Sequence, residues 1–597
     1  MTDPNGPDIK LPDPVQLARS MAEIAERSQR LVADFLSRQG SEGMGSPDPL
    51  NIGGAFMEMT QRMMSDPMRL LNSQMELWQS YMDLWQRSAH RFLGGTSGPV
   101  IEPPPGDRRF KDVAWTENTL FDFIKQSYLL TARWMQSTVK EVEGLDEQTA
   151  RKVDFYTRQF ADAIAPSNFL MTKPEALRTT LETGGENLVK GLGHMLDDLE
   201  RGKGQLQIKM TDLDAFKIGE NIAVTPGKVV FQNDLMQLIQ YEPTTAKVKR
   251  RPLIIVPPWI NKYYILDLRP KNSFVRWAVE QGHTVFMISW VNPDEHLAKK
   301  SFENYMLEGP IAAMEAVEKA TGEREVNFIG YCLGGTLLGC TMAYLAAKGD
   351  TRVVSASYFA AMVDFSEAGE LLVFIDEEQL QMLEEKMQEH GYLKGSEMAT
   401  TFNMLRANDL IWSFVVNNYL LGKEPFPFDL LYWNSDSTRM PAAMHSFYLR
   451  HMYQENALAR AGGITLDGVP IDLKKITTPT FLVSTQEDHI APWKTCYHAT
   501  QLYQGPVKFV LSASGHIAGI VNPPGNSKYG HWEYNRNPKD RDQWLAKAKY
   551  QPDSWWPTWE KWVAKFSGGE VPARKISEGG LTPIDDSPGS YAKLVVS

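Results

Sequence analysis

The chain has 597 residues, enough for more than one domain, with 43% hydrophobic and 23% charged residues and a net charge of −11. That acidic balance, with only a short basic run "KVKRRP" at 247–252, excludes a nucleic-acid binder and therefore a nucleic-acid partner. No apolar run approaches the roughly 18 residues that span a bilayer, and the N-terminus lacks the basic and apolar regions of a secretory signal.

In chain order, the first hundred residues stand apart. Residues 1 to about 50 are rich in Gly, Pro and Ser around one amphipathic stretch, "VQLARSMAEIAERSQRLVADFLSRQ". Asp66-Pro67 then makes a helix cap and first helical position. Met68, Leu71, Met75, Trp78, Met82 and Trp85 follow at spacings of three and four, which draws one apolar stripe along a helix. Two readings of that stripe stand side by side: ordinary packing inside the protein, or a surface for a partner helix, a second subunit or an apolar particle. A Gly/Pro-rich linker spans 94–109, and residues 110 to about 220 read as mostly helical, most clearly in "TENTLFDFIKQSYLLTARWMQSTVKEVEGL".

From 228 the texture changes to short apolar runs alternating with helical patterns. The expected strands are "KVVFQND", "LMQLIQYEP", "PLIIVPP", "TVFMISWV", "EVNFIG", "VVSASYFAAMVDF", "TPTFLVSTQED" and "VKFVLSASGH". Runs that are apolar throughout predict central parallel strands covered on both faces. About 110 residues separate the sixth run from the seventh, too many for a loop, and they carry helical patterns; they are expected to form a cap.

Chemistry concentrates at "NFIGYCLGGTLLGC". A strand leads into Gly330-Tyr331-Cys332-Leu333-Gly334 and then into a helix, the layout of a nucleophile elbow with a thiol in place of the usual serine. Asp488 ends the seventh strand and His516 ends the eighth, the nucleophile–acid–histidine order of an α/β-hydrolase. The oxyanion hole is expected from the N–H of Leu333 and from the loop "VPPWINKYYILDL". There Pro257 and Pro258 have no N–H to give, so Trp259 or Ile260 supplies it, with Ile260 preferred. His489 and Glu487 are less suited to the triad than their neighbour Asp488. Cys340, about 12 Å along the helix from Cys332, and Cys496 read as core residues. Three cysteines give neither a disulfide framework nor metal-ligand spacing, so no metal is expected, and a reduced cytoplasmic location follows. No cofactor is expected either. A cysteine that attacks an acyl thioester exchanges like for like, so the acyl-enzyme stays activated for transfer to a hydroxyl.

With these residues in view, "GYCLGG", "VPPWINKYYILDL", "ISWVNPDE", "STQEDHIAPW", "SGHIAGIVNPP", "DRRFKDVAWTENTLFDF" and "PDSWWPTWEKWV" resemble the polyhydroxyalkanoate synthases, class I type. The resemblance runs from about residue 107 to near the C-terminus. It implies an α/β-hydrolase catalytic domain (221–597) with a cap at about 366–475, preceded by a helical domain (107–220) and a variable region (1–106). It also implies polymerisation of (R)-3-hydroxyacyl-CoA, 3-hydroxybutyryl-CoA among the short monomers, into storage polyester, with CoA as leaving group. Cys332 would accept the acyl group and His516 would act as base. Asp488 would either orient His516 or help deprotonate the incoming 3-hydroxyl. A homodimer attached to polyester granules, with granule-associated proteins as further partners, completes the expectation. The alternative is an intracellular thiol esterase or polyester depolymerase of the same fold.

Overall fold

The computed structural model describes residues 19, 22–24, 26–31, 52–525 and 528–594. Of the amphipathic stretch at 15–39, only the residues in that list are described, and they are helical; the rest of the stretch lies outside the described residues. The chain forms two compact units. One contains residues up to Asp212 together with Phe402–Phe426, and the other Leu213–Thr401 with Pro427 to the C-terminus. The insertion expected as a single cap at 366–475 is therefore shared between the two units.

The first unit is helical. Helix α1 (Ile52–Ser65) and α2 (Pro67–Phe92) precede α3 (Thr119–Lys140) and α4 (Glu147–Ala163). Asp66 caps α2 by accepting the Arg69 N–H at 3.1 Å, with Pro67 at the first helical position. Its inward face is the less apolar one. Leu84 and Ser88 are buried, Ser73 meets Thr138 at 2.9 Å, and the Tyr81 hydroxyl meets Thr131 at 2.7 Å. The apolar stripe from Met68 to Trp85 faces outward, with Trp78 68% and Trp85 65% exposed. The inserted Phe402–Phe426 segment belongs here because its backbone fits closely. A Cβ on Gly191 would lie 1.8 Å from the Tyr419 carbonyl, and Asn187 Nδ2 donates to the Leu420 carbonyl at 2.7 Å.

The second unit is built on an eleven-stranded sheet. In chain order its strands are β1 (Gly227–Gln232), β2 (Met236–Tyr241), β3 (Leu253–Val256), β4 (Val285–Trp290), β5 (Val326–Tyr331), β6 (Val353–Phe359), β7 (Thr480–Thr485), β8 (Val507–Ser512), β9 (His531–Glu533), β10 (Lys549–Gln551) and β11 (Asp585–Asp586). The spatial order is β10-β9-β8-β7-β6-β5-β3-β4-β2-β1-β11. Strands β3 to β8 pair in parallel, and the remaining pairings are antiparallel. All eight predicted strands lie in this sheet. The three additional ones hold only two or three residues each, too few to show a period of two in the sequence.

Adjacent strand residues feed opposite cores, as a pleated strand requires. Ile254 and Phe328 pack in one apolar layer, and Ile255 and Ile329 in the other. Helix α5 (Leu333–Lys348) follows β5 and is buried on all sides from Leu333 to Leu345, which explains its nearly featureless apolar sequence. Strand–helix alternation around a sheet whose six central strands are parallel is the α/β-hydrolase architecture expected from the sequence. Among the described residues no helix is long and apolar enough to cross a membrane.

Candidate active site

The elbow between β5 and α5 is strained in the way a nucleophile turn demands. Cys332 sits at φ 51°, ψ −123°, a conformation that L-residues rarely adopt. It persists because the surrounding backbone leaves no alternative. A Cβ on Gly330 would lie 2.6 Å from the Gly335 Cα, and one on Gly334 would lie 2.2 Å from the Val256 carbonyl oxygen. Cys332 is partly buried and touches both apolar layers, at the edge of the sheet where the parallel strands end.

Two backbone hydrogen bonds join the loops that carry the acid and the base. The Gln486 N–H donates to the Ser512 carbonyl at 2.8 Å, and the Glu487 N–H to the Ser514 carbonyl at 2.9 Å. Asp488 and His516 thereby meet, with His516 Nδ1 2.7 Å from Asp488 Oδ2 and both side chains buried. The Thr485 hydroxyl donates to the same Oδ2 at 2.9 Å. Oδ1 accepts the N–H groups of Ile490 (2.9 Å) and Ala491 (2.8 Å). Both oxygens of Asp488 are thus committed within the protein. Burial opposes the protonated form of His516. The charges of Asp488 and Cys332, with hydrogen bonds to both, outweigh it and hold the imidazole well above its ordinary range. Glu487 is exposed, whereas Asp488 beside it is buried.

Sequence-expected site residues therefore assemble as follows. Cys332, Asp488 and His516 converge, and Leu333 follows the nucleophile as the first residue of α5. Ile260 lies in the loop after β3, whose Pro257 carbonyl approaches within 2.6 Å of a Cβ built on Gly334. Neither the Leu333 nor the Ile260 N–H is donated to an acceptor among the described residues. Cys340 and Cys496 are buried, and burial raises both thiols, as befits core residues. Among the described residues no group of three or more His, Cys, Asp or Glu is disposed to hold a metal ion.

Further residues hold this centre in place. Tyr331 stacks on the His516 ring (centroids 5.7 Å apart) and its hydroxyl donates to the His516 carbonyl at 3.3 Å. The Trp-rich tail fastens the histidine loop, because Trp555 Nε1 donates to the Gly519 carbonyl and Trp556 Nε1 to the Ile520 carbonyl, each at 2.9 Å. Tyr448 and Tyr453, from the insertion, are buried close enough to Cys332 for a charge there to raise their hydroxyl pKa values, although burial is the main cause. Trp259 packs on Trp290 and Tyr305, while Tyr264 reaches Asp436 of the insertion at 2.7 Å. These aromatics support the loop from beneath the insertion.

Comparison with known proteins places this geometry in a family. The chain is 49% identical to the poly(3-hydroxyalkanoate) polymerase of Methylorubrum extorquens over 99% of both chains. The chain belongs to the poly(3-hydroxyalkanoate) polymerase family. It is also 48% identical to the polymerase subunit PhaC of Rhizobium meliloti, over 98% of this chain and 95% of that one. For the Cupriavidus necator subunit the identity is 44%, over 82% and 83%. Residues 106–278 match the family model of the poly-beta-hydroxybutyrate polymerase N-terminus, and 270–523 match that of the alpha/beta hydrolase fold. The chain is thus an acyltransferase-type enzyme, a poly(3-hydroxyalkanoate) polymerase.

Proposed function

We propose that this polymerase converts (R)-3-hydroxyacyl-CoA, with 3-hydroxybutyryl-CoA the first candidate, into storage polyester through a Cys332-bound thioester. The observation that carries the reading is a thiol on a strained elbow served by a buried His516–Asp488 pair. His516 takes the thiol proton, and the thiolate attacks the acyl carbonyl carbon. The oxyanion forms against the Leu333 and Ile260 N–H groups. Collapse expels the CoA thiolate, which takes the proton back from His516, and leaves the acyl group on Cys332. A 3-hydroxyl then gives its proton to His516 and attacks the thioester; the C–S bond breaks, an ester forms, and the thiol is restored. The committed oxygens of Asp488 favour an orienting role over direct contact with the incoming hydroxyl. CoA is a leaving group, and no cofactor enters the scheme.

A thiol esterase or depolymerase would pass the same acyl group to water. The curated relatives above bear polymerase names, which favours transfer to a hydroxyl. The finer assignments also belong to the proposal: short monomers, a cytoplasmic homodimer, and attachment to polyester granules and their associated proteins, with the outward Met/Trp face of α2 as the contact for the particle. The deciding experiment is CoA release from 3-hydroxybutyryl-CoA with Cys332→Ala beside the parent. Release from the parent alone supports the scheme, whereas equal release would show that Cys332 is not the nucleophile.

A further inference from the structure

Only one of the two expected oxyanion donors is fixed by the elbow itself. Leu333 follows Cys332 directly into α5, so the strained turn sets its N–H. Ile260 lies in an irregular loop, and what orients its peptide comes from the far side of the insertion.

The peptide joining Trp259 to Ile260 is trans, so its C=O and N–H point in opposite directions. Its carbonyl accepts a hydrogen bond from the Thr438 hydroxyl, which is buried. A carbonyl held on that side leaves the Ile260 N–H directed the opposite way, away from Thr438. The next peptide is held too, since the Thr438 N–H donates to the Ile260 carbonyl at 3.0 Å.

The segment that carries Thr438 does not depend on this one hydroxyl. Ser437 forms an antiparallel bridge with Asn261, and Trp433 Nε1 donates to the Lys262 carbonyl at 2.6 Å. Asp436 is ion-paired with buried Lys262 at 2.8 Å and accepts the Tyr264 hydroxyl at 2.7 Å. On the loop's other flank, Trp290 Nε1 donates to the Pro257 carbonyl at 2.8 Å. These contacts keep the segment and the loop together without the Thr438 hydroxyl. What the hydroxyl adds is a direct hold on the Trp259 carbonyl, and through it on the rotation of the Trp259–Ile260 peptide.

We infer that Thr438 is a positioning residue for acyl transfer, its hydroxyl fixing the Trp259–Ile260 peptide so that the Ile260 N–H is ready to receive the oxyanion. This rests on the reading of Cys332 as the nucleophile. It makes the second donor dependent on the insertion. The hole is complete only while the 433–438 segment is seated on the loop, and Leu333 alone remains when the Thr438 contact is lost.

The test compares Thr438→Val, which keeps the shape and removes the hydroxyl, with Thr438→Ser, which keeps the hydroxyl. Three readouts are needed: single-turnover CoA release from 3-hydroxybutyryl-CoA, alkylation of Cys332 by iodoacetamide, and the thermal midpoint. Alkylation uses the thiolate but builds no oxyanion. Thr438→Val should slow CoA release about 10- to 100-fold, somewhat less than deletion of a whole oxyanion donor costs. The alkylation rate should stay at the parent value, the thermal midpoint should fall by no more than the few degrees that one buried hydrogen bond is worth, and Thr438→Ser should restore release. Parent-like release by Thr438→Val would overturn the inference. So would a parallel fall in release, alkylation and thermal midpoint, because that is the mark of a merely structural contact. Failure of the underlying reading is seen separately: Cys332→Ala releasing CoA at the parent rate would remove the nucleophile, and this inference with it, without any Thr438 variant.

Discussion

Asp488 Oδ2 lies 2.7 Å from His516 Nδ1, with Asp488 8% and His516 7% exposed. Burial by itself would push the imidazole toward neutrality; the charges of Asp488 and Cys332 reverse that, and the folded pKa stands well above the usual 6.5. A raised folded pKa means that protonated His516 stabilises the fold. That contribution is fully present below the unfolded value of about 6.5 and is lost as pH rises through the folded value.

Asp488→Asn should therefore lower the His516 pKa and flatten the loss of stability between neutral and alkaline pH. NMR titration of the imidazole, together with urea unfolding across that window, measures both. Because the proposed scheme uses His516 in both acylation and elongation, the variant should slow both by at least about 100-fold, the scale of a lost general base. A variant that acylates normally and fails only in elongation would show that Asp488 contacts the incoming hydroxyl after all.

Gly334→Ala tests the fit between the elbow and the oxyanion loop. The added methyl would lie 2.2 Å from the Val256 carbonyl oxygen and 2.6 Å from that of Pro257, and neither is a flexible side-chain end. Relief requires the loop backbone to move, so we expect a loss of about 1–3 kcal/mol in urea unfolding, the usual cost of overpacking. Acylation should fall as well, since the same loop carries Ile260. Unchanged stability and unchanged acylation would mean that the loop yields freely.

What could be read from the sequence, and what could not, follows from how local each constraint is. Gly330, Cys332 and Gly334 announce an elbow because a strained turn needs its glycines within a few residues of the nucleophile. Asp488 and His516 stand out because each follows an apolar strand by a few residues. Pro257 and Pro258, which have no N–H, narrow the proposed second oxyanion donor to Trp259 or Ile260. Thr438 was invisible, since its partner Trp259 is 179 residues away and nothing in one residue's type records such a contact. The division of the insertion was equally hidden. A helical pattern shows that Phe402–Phe426 has an apolar face, but not that the face serves the N-terminal helices.

Trp555 joins the C-terminal tail to the histidine loop. Its indole N–H donates to the Gly519 carbonyl at 2.9 Å, and its ring lies 4.8 Å from that of Phe359 at the end of β6. Trp555→Ala should cost about 3–5 kcal/mol of unfolding free energy, as large-to-small changes of buried aromatics do. Trp555→Phe keeps most of the packing and should cost about 1 kcal/mol, the net worth of one hydrogen bond. Urea unfolding followed by far-UV circular dichroism measures both, and equal costs would assign the whole effect to the hydrogen bond.

The outward stripe of α2 calls for the opposite pattern, a large effect on attachment and almost none on stability. Trp78 and Trp85 are mostly exposed and lie on one face with Met75 and Met82, so replacing them leaves no cavity in the described protein. Trp78→Gln with Trp85→Gln should change unfolding free energy by no more than about 0.5 kcal/mol per substitution. An indole moved from water onto an apolar surface contributes about 2–3 kcal/mol at roughly 25 cal/mol per Å². If this face carries the chain onto polyester, the double variant should lose at least about tenfold in partition onto isolated granules, since 1.4 kcal/mol already corresponds to tenfold. Sedimentation with granules reads the partition, and light scattering reads the subunit number of the unbound protein. Parent-like partition with a weakened dimer would reassign the stripe to a second copy of the chain. CoA release per Cys332 from soluble substrate should stay at the parent rate throughout, because the variant leaves the triad and its loops untouched.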